Sequence, residues 1–309
     1  MVQGGSFFGK AEILRFSVPG TSSPIVVLHD PFGDNGLRVA ELVERYATIQ
    51  PLPERVRANA IRSMRAELEK PGADPNDVVK WVKRAGKAKR RRDSRALADA
   101  FSQGNPERET PKDVPTFLKQ LADDAQDASG GAMAQHTIKI GHLPAAVSAC
   151  SIPQKAQDVP DDFCKLADEV LDKAAAAVAD ITLPPRDGTD EPAERELAAR
   201  ALHNRREYYV CHGIMYGPMG KLFGHVDQLG HWVVLFNLGN DCTFHAGDGP
   251  CGNDVHAAFE FKSGDALVFN GAPGHNAMHG LSRITMGTNP LGTKAWLQKT
   301  RTSLQIRQL

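Results

Sequence analysis

Two residues of types that commonly bind metal ions, His225 and Asp227, stand two positions apart in the segment GHVDQ. On an extended chain, residues at this spacing project to the same face, so the imidazole and the carboxylate can reach one metal ion. A second imidazole from a distant strand would complete three ligands on one side of the metal and leave the other positions open. The pattern therefore predicts a 2-His-1-carboxylate site suited to Fe(II), with His275 and His279 as the candidates for the third ligand.

The segment RTSLQIRQL carries a second set of chemically informative residues, because Arg301, Ser303, Gln305 and Arg307 recur at every second position. In a strand this period puts both guanidinium groups on one face. If that face lines the inside of a barrel, the two charges have no acidic partner nearby in the sequence, and burying an uncompensated charge is costly. An anionic ligand is then expected, and a dicarboxylate fits because arginine binds carboxylates through paired hydrogen bonds. The alternative is an edge strand whose charges are solvated.

The elements that must position these residues lie from Glu207 onward, where the hydrophobic period falls to two. Gly, Asn, Asp or Pro residues separate short β-rich segments, which read EYYVCHGIMY, HWVVLFNLG, CTFHA, VHAAFEF, DALVFN, RITMG and RTSLQIRQL. Such a series of short strands over roughly 100 residues is typical of a double-sheet jelly roll or a related barrel.

Helical patterns precede this β-rich part. Apolar residues recur at helical spacing after Gly36, around Val56 to Leu68 and after Pro75, and the last of these patterns runs into the cationic tract KAKRRRDSR. Another helix is expected after Pro160, where two aspartates precede an apolar stripe. We therefore predict an α+β protein with a mainly helical region at 1–130 and a β-rich core with supporting helices at 131–309.

Composition narrows the possible classes of protein. The chain has 309 residues, 41% hydrophobic and 24% charged, and 37 basic side chains balance 37 acidic ones. A basic surface for nucleic acid would therefore have to be local. Five cysteines without CxxC spacing argue against a disulfide framework. No apolar run approaches the ~18 to 20 residues of a membrane span, and no secretory signal pattern begins the sequence, so we expect an intracellular protein of the nucleus or cytoplasm with no membrane partner.

Several of these motifs occur in one order that resembles the AlkB family of Fe(II)/2-oxoglutarate-dependent dioxygenases. The resemblance covers roughly Val159 to Leu309 and begins with a helix like the one before the family's core. The family's closing strand has the pattern RxNxTxR, where this chain has RxSxQxR, so Ser303 and Gln305 take the places of an amide and a hydroxyl. The motifs, in chain order, are Tyr216, His225-Val226-Asp227, Gly264-Asp265, His279 in an HG setting, and Arg301-x-Ser303-x-Gln305-x-Arg307.

The resemblance implies a double-stranded β-helix fold, with Fe(II) held by His225, Asp227 and His279. It also implies that 2-oxoglutarate is the cosubstrate, with Arg301 on its distal carboxylate and Arg307 near its metal-proximal end. Tyr216 would donate a hydrogen bond from its hydroxyl group, and Ser303 would line the same site. The implied reaction uses O₂ and couples decarboxylation of 2-oxoglutarate to hydroxylation of a C–H bond, which on an N-methyl group leads to demethylation.

The resemblance also implies a methylated base in DNA or RNA as substrate. Trp232 and His231 stand close to the predicted metal ligands and are candidates for stacking on that base. Lys89, Arg90 and Arg91 in the cationic tract are candidates for phosphate contacts or for a nuclear-import signal. Two alternatives remain: a 2-oxoglutarate-dependent hydroxylase of a protein or small molecule, and a barrel that binds metal without catalysis.

Overall fold

A computed structural model of the chain describes residues 7–8, 11–18, 21–49, 111–127, 135–140, 159–180, 208–225, 232–247, 255–271 and 278–308. The helices are α1 (Leu37–Tyr46), α2 (Val114–Asp127) and α3 (Asp161–Asp180), and a short 3-10 helix spans Ala295–Leu297. The strands are β1 (Phe7–Phe8), β2 (Ala11–Val18), β3 (Thr21–Leu28), β4 (Gln135–Lys139), β5 (Tyr208–Tyr216), β6 (Leu222–His225), β7 (Trp232–Gly239), β8 (Asp241–Gly247), β9 (Val255–Phe261), β10 (Ala266–Asn270), β11 (Met278–Thr285) and β12 (Arg301–Gln308).

The strands form two antiparallel sheets whose order identifies the fold. The major sheet has eight strands in the order β1-β2-β3-β10-β7-β12-β5-β4, and the minor sheet has four in the order β6-β11-β8-β9. From β5 to β12 the chain therefore passes repeatedly from one sheet to the other. Four of these strands, in the order β10-β7-β12-β5, lie in the major sheet, and the other four, in the order β6-β11-β8-β9, form the minor sheet. This is the strand order of a double-stranded β-helix, the jelly-roll arrangement of two sheets. The predicted α+β class and jelly-roll core are confirmed.

Apolar side chains of both sheets pack into one inter-sheet core. The major sheet contributes Val233, Leu235 and Phe269, and the minor sheet contributes Phe244 and Phe261. Because side chains alternate along a strand, the intervening residues of the major sheet point to its other face. That outer face is also apolar and is covered by the helices, so β7 is buried along its whole length.

Aspartate side chains stabilise the N-terminal ends of helices α1 and α3. The Asp34 carboxylate accepts hydrogen bonds from the backbone N–H groups of Gly36 and Arg38, and thereby satisfies donors at the start of α1. Helix α3 begins after Pro160 with Asp161 and Asp162, whose negative charges suit a helix N-terminus. Both helices were expected from the apolar spacing, and their buried faces pack on the major sheet.

Strands from the N-terminal region extend the major sheet, which helical periodicity did not predict. Strand β3 pairs with β10, and Val26 lies opposite Val268. The Asp265 carboxylate reinforces this edge, since it accepts hydrogen bonds from the backbone N–H groups of Asp30 and Lys262 and contacts the His29 ring.

Residues 50–110 lie outside the described ranges, so the division at residue 130 and the helices expected there stay predictions. In the described part of the chain, no helix is both long and apolar enough to cross a membrane.

Helix α3 should contribute strongly to stability through Phe163, which is fully buried and packs edge-on against the Tyr46 ring at 5.8 Å between centroids. We expect Phe163→Ala to lower the free energy of unfolding by about 3–5 kcal/mol, because it leaves a cavity between α3 and its neighbours. Urea unfolding measures this change. Lys165→Ala on the exposed side of the same helix is the matched control and should change stability by less than about 0.5 kcal/mol.

Candidate metal and anion site

The structure brings His225 and His279 together, although they are 54 positions apart in the sequence. His225 ends β6 and His279 lies near the start of β11, and the two are direct partners across these paired strands. Their ring centroids are 4.5 Å apart. Two imidazoles this close can share one metal ion, because metal–nitrogen bonds are about 2.0–2.1 Å long.

Aromatic side chains surround the His279 ring on the inner side of the minor sheet. The Phe269 and Phe244 rings lie 4.8 and 5.9 Å from it, and His279 is only 4% exposed. The strand register between β11 and β6 shifts just after His279, a local irregularity that can re-aim a side chain. A Cβ on Gly280 would lie 2.6 Å from the His245 ring and 2.7 Å from the Leu222 carbonyl oxygen, so only glycine allows this close approach.

The described residues provide two donors that fit a metal ion, the imidazoles of His225 and His279. The third predicted donor, Asp227, lies beyond the described residues. Within the described ranges, no group of three or more His, Cys, Asp or Glu side chains could hold a metal ion. Asp227 lies two positions beyond the end of β6, outside those ranges, as does His275, the other candidate for the third ligand. Two adjacent imidazoles with a carboxylate two positions further along have the ligand chemistry of the predicted Fe(II) site.

A buried positive charge lies in the same inter-sheet core. Arg301 is 2% exposed, and its guanidinium carbon stands 5.1 Å from the centre of the Tyr216 ring and 5.9 Å from that of Phe261. Its Nε donates a hydrogen bond of 2.5 Å to the Asn237 side-chain oxygen. Among the described residues, no carboxylate forms an ion pair with it. The guanidinium therefore favours an anionic ligand on its remaining donors.

Strand β12 turns the same face inward along its whole length. Leu304 and Ile306 pack under the helices, so Arg301, Ser303 and Arg307 face the minor sheet. Ser303 is buried, whereas Arg307 is partly exposed. Tyr216 is fully buried and lies directly opposite Arg301 on β5.

Asn237 is a site residue that the motif analysis missed. Its side-chain amide donates hydrogen bonds of 3.2 and 2.9 Å to the carbonyl oxygens of Asn240 and Phe261, while its oxygen accepts the bond from Arg301. Asn237 thus ties the major sheet to the minor sheet and orients the buried guanidinium. The available signal was one polar residue within the otherwise apolar run WVVLFNLG.

The Cys242 thiol lies beside the Asn237 side chain that binds Arg301. The Cys242 sulfur lies 4.0 Å from the Asn237 side-chain oxygen, and burial raises the pKa of the Cys242 thiol to about 11, although the Arg301 charge partly opposes that shift. The thiol is therefore neutral near pH 7. On the outer face of the minor sheet, partial burial lowers the pKa of His245, and the nearby His225 lowers it further.

The residues predicted to bind substrate are placed less favourably or lie beyond the described part. Trp232 is 4% exposed and belongs to the core between the major sheet and the helices, on the opposite face from Val233. The base-stacking role predicted for Trp232 therefore gains no support from its position. The other candidates are outside the described ranges: His231, Lys89, Arg90 and Arg91.

No family model matches the chain, and no curated protein matches its sequence. Its structure is similar to that of OsALKBH1, with 21% identity and a TM-score of 0.41 over 64% of this chain and 92% of that chain. It is also similar to a prolyl-4-hydroxylase of Pseudomonas putida, with 13% identity and a TM-score of 0.23 over 62% of this chain and 99% of that chain. Both TM-scores are low, so the fold assignment depends on the strand order of this chain itself.

The uncompensated charge of Arg301 should lower the stability of the ligand-free protein. We expect Arg301→Met to raise the free energy of unfolding by about 1–4 kcal/mol, because the thioether fills similar space without the cost of burying a charge. Urea unfolding without added anions measures the effect. Arg283→Met, at an exposed position of β11, is the control and should be nearly neutral. A less stable Arg301→Met protein would mean that the guanidinium is already compensated.

Proposed function

We propose that this protein is an Fe(II)/2-oxoglutarate-dependent dioxygenase, similar to AlkB, that oxidises methyl groups on nucleic-acid bases. The observation that carries the proposal is the buried Arg301, which lies in the same inter-sheet space as the adjacent imidazoles of His225 and His279. A paired-histidine site and an anion site at two ends of one space suit a cosubstrate with a carboxylate at each end.

The proposed roles follow from position along the strands. His225, Asp227 and His279 would hold Fe(II), which when bound supplies the redox chemistry with O₂. Arg301 would bind the far carboxylate of 2-oxoglutarate through its guanidinium fork, with Asn237 holding that fork in place. The aromatic rings around His279 would exclude water from the region of the proposed reaction.

The remaining inward-facing residues would orient the cosubstrate. Tyr216 and Ser303 lie beside Arg301 on the inner face of the major sheet, where each hydroxyl can donate to a carboxylate. Arg307 lies further along β12, in the same row as Val233 and Phe269, and Phe269 contacts His279. Arg307 would therefore act at the metal end, near the metal-proximal carboxylate.

Succinate release tests the proposal directly. The full-length protein with Fe(II), 2-oxoglutarate and O₂ should release succinate, and an N-methylated oligonucleotide should accelerate that release and yield formaldehyde. If the protein releases succinate but no oligonucleotide accelerates the release, the proposed dioxygenase activity stands and the proposed nucleic-acid substrate is rejected. Binding of Fe(II) with no turnover of 2-oxoglutarate would reject the enzyme and leave a barrel that only binds metal.

The ligand assignment predicts that Asp227→Ala and His279→Ala each abolish turnover and weaken Fe(II) binding by more than roughly 100-fold. Loss of a group that merely supports a metal ligand already costs about 10–100-fold, and a ligand itself should cost more. Anaerobic titration with Fe(II) measures the affinity. Asp172→Ala, on the exposed side of α3, is the control and should bind Fe(II) normally. Normal Fe(II) binding by His279→Ala would favour His275 as the third ligand.

The anion assignment predicts that Arg301→Met weakens 2-oxoglutarate binding by about 2–5 kcal/mol, because one carboxylate loses its charged partner in a buried site. The affinity for Fe(II) should stay unchanged, since Arg301 is not among the proposed ligands. Calorimetric titration of the metal-loaded protein gives both values. Equal affinity for 2-oxoglutarate in the wild type and Arg301→Met would reject this role, and Arg283→Met again serves as the control.

A further inference from the structure

The two strands that carry the paired histidines are joined through a β-bulge. His279 on β11 pairs with His225 on β6, and Leu281 pairs with Leu222. Between these two pairs β11 has one residue, Gly280, whereas β6 has two, so the extra residue of the bulge lies on β6. A bulge bends its strand and changes the direction in which nearby side chains project. The bulge directly before His225 therefore affects where that imidazole points.

His245 lies beside this bulge on the outer face of the minor sheet. On β8 it is the direct partner of Gly280 on β11. Its neighbours Phe244 and Ala246 belong to the inter-sheet core, and side chains alternate along a strand, so His245 projects to the opposite face. The paired histidines project to the inner face. His245 thus lies behind the strands that carry them.

The His245 imidazole crosses Gly280 and approaches the backbone of β6. A Cβ on Gly280 would lie 2.6 Å from Nε2 of His245, 2.7 Å from the Leu222 carbonyl oxygen and 3.0 Å from the Gly224 backbone nitrogen. The ring therefore fills the space above the glycine that a side chain would otherwise take. An aromatic ring that covers a glycine supports a sheet at a position without a side chain of its own. His245 thereby links β8, β11 and β6 at the bulge.

His245 acts on the candidate metal site through the strands rather than as a ligand. Within the described ranges, His245 forms no metal-binding group with His225 and His279. Its side chain is partly exposed, whereas His279 is buried between the sheets. Removal of the His245 ring therefore leaves the apolar core in place and changes the support of the bulge.

We propose that His245 is a positioning residue for the candidate metal site: its ring holds the β6 bulge against Gly280 and keeps the His225 imidazole beside that of His279. The inference rests on the metal site of the proposed function and adds to it a residue outside the inter-sheet space. Two imidazoles share an ion only if both reach it at about 2.0–2.1 Å, so a small movement of β6 relative to β11 weakens binding.

Titration of the full-length protein with Co(II) tests this role. Co(II) binds nitrogen and oxygen donors as Fe(II) does, and its visible absorption bands report the geometry of its ligands. His245→Ala should weaken Co(II) binding about 10–100-fold, the range for groups that orient a metal ligand, and should alter the visible spectrum at saturation. His245→Phe keeps a flat ring over Gly280 and should retain most of the affinity and the wild-type spectrum.

Thr243→Ala is the matched control, because Thr243 is also partly exposed on the outer face of β8 but pairs with Arg283 instead of Gly280. It should bind Co(II) as the wild type does. Urea unfolding of the metal-free proteins should give similar midpoints for His245→Ala and Thr243→Ala. A much lower midpoint for His245→Ala would overturn the proposal, since the weaker binding would then reflect a general loss of structure.

Three further results would also overturn the proposal. The first is wild-type affinity and spectrum in His245→Ala, and the second is an equal loss of affinity in Thr243→Ala. The third is a loss in His245→Phe as large as that in His245→Ala, because packing of the ring would then not be what orients the ligand.

Metal binding separates this role from the proposed catalysis. If His245→Ala weakens Co(II) binding but the Fe(II)-loaded wild type releases no succinate, the dioxygenase is rejected and the positioning role stands. If the wild type releases succinate and His245→Ala binds Co(II) normally, the positioning role is rejected and the proposed function stands. A wild type that binds neither Co(II) nor Fe(II) rejects both.

Discussion

A single guanidinium, enclosed between two sheets, is the constraint on which the rest of this structure depends. Arg301 occupies a place in the core that an apolar side chain could fill, and the rings of Tyr216 and Phe261 cover it while Asn237 holds its Nε. Charge in such surroundings is costly without a counterion. The inter-sheet space therefore combines a packed core with a preference for an anion, and this preference gives the fold its proposed chemistry.

Strand β12 connects the buried guanidinium to the paired histidines of the candidate metal site. It lies in the middle of the major sheet, paired with β7 and β5, so its register sets the position of every inward residue relative to both neighbours. The row of Arg307 leads through Val233 to Phe269, whose ring lies against His279. One rigid strand thus sets the distance between the buried charge and the paired imidazoles, which the proposed cosubstrate would have to span.

The helices and the N-terminal strands support the site from the outer face and the edge. Helices α1, α2 and α3 cover the outer face of the major sheet, and β3 pairs with β10 at the edge where Asp265 binds the backbone of Asp30. Burial raises the pKa of Asp265, while its hydrogen bonds partly oppose that shift. Along the inner face of β12, Arg301 and Ser303 are buried, whereas Gln305 and Arg307 are partly exposed.

Local pattern in the sequence was enough to predict the chemistry of individual segments and the class of fold. Period-two alternation predicted which residues of β12 share one face, and the spacing of His225 and Asp227 predicted a ligand pair, because both depend only on the geometry of an extended chain. Tertiary structure decided which distant residues meet. The pairing of His225 with His279 and the contact of Arg301 with Asn237 both arise from strand register, a long-range property that no short stretch of sequence encodes.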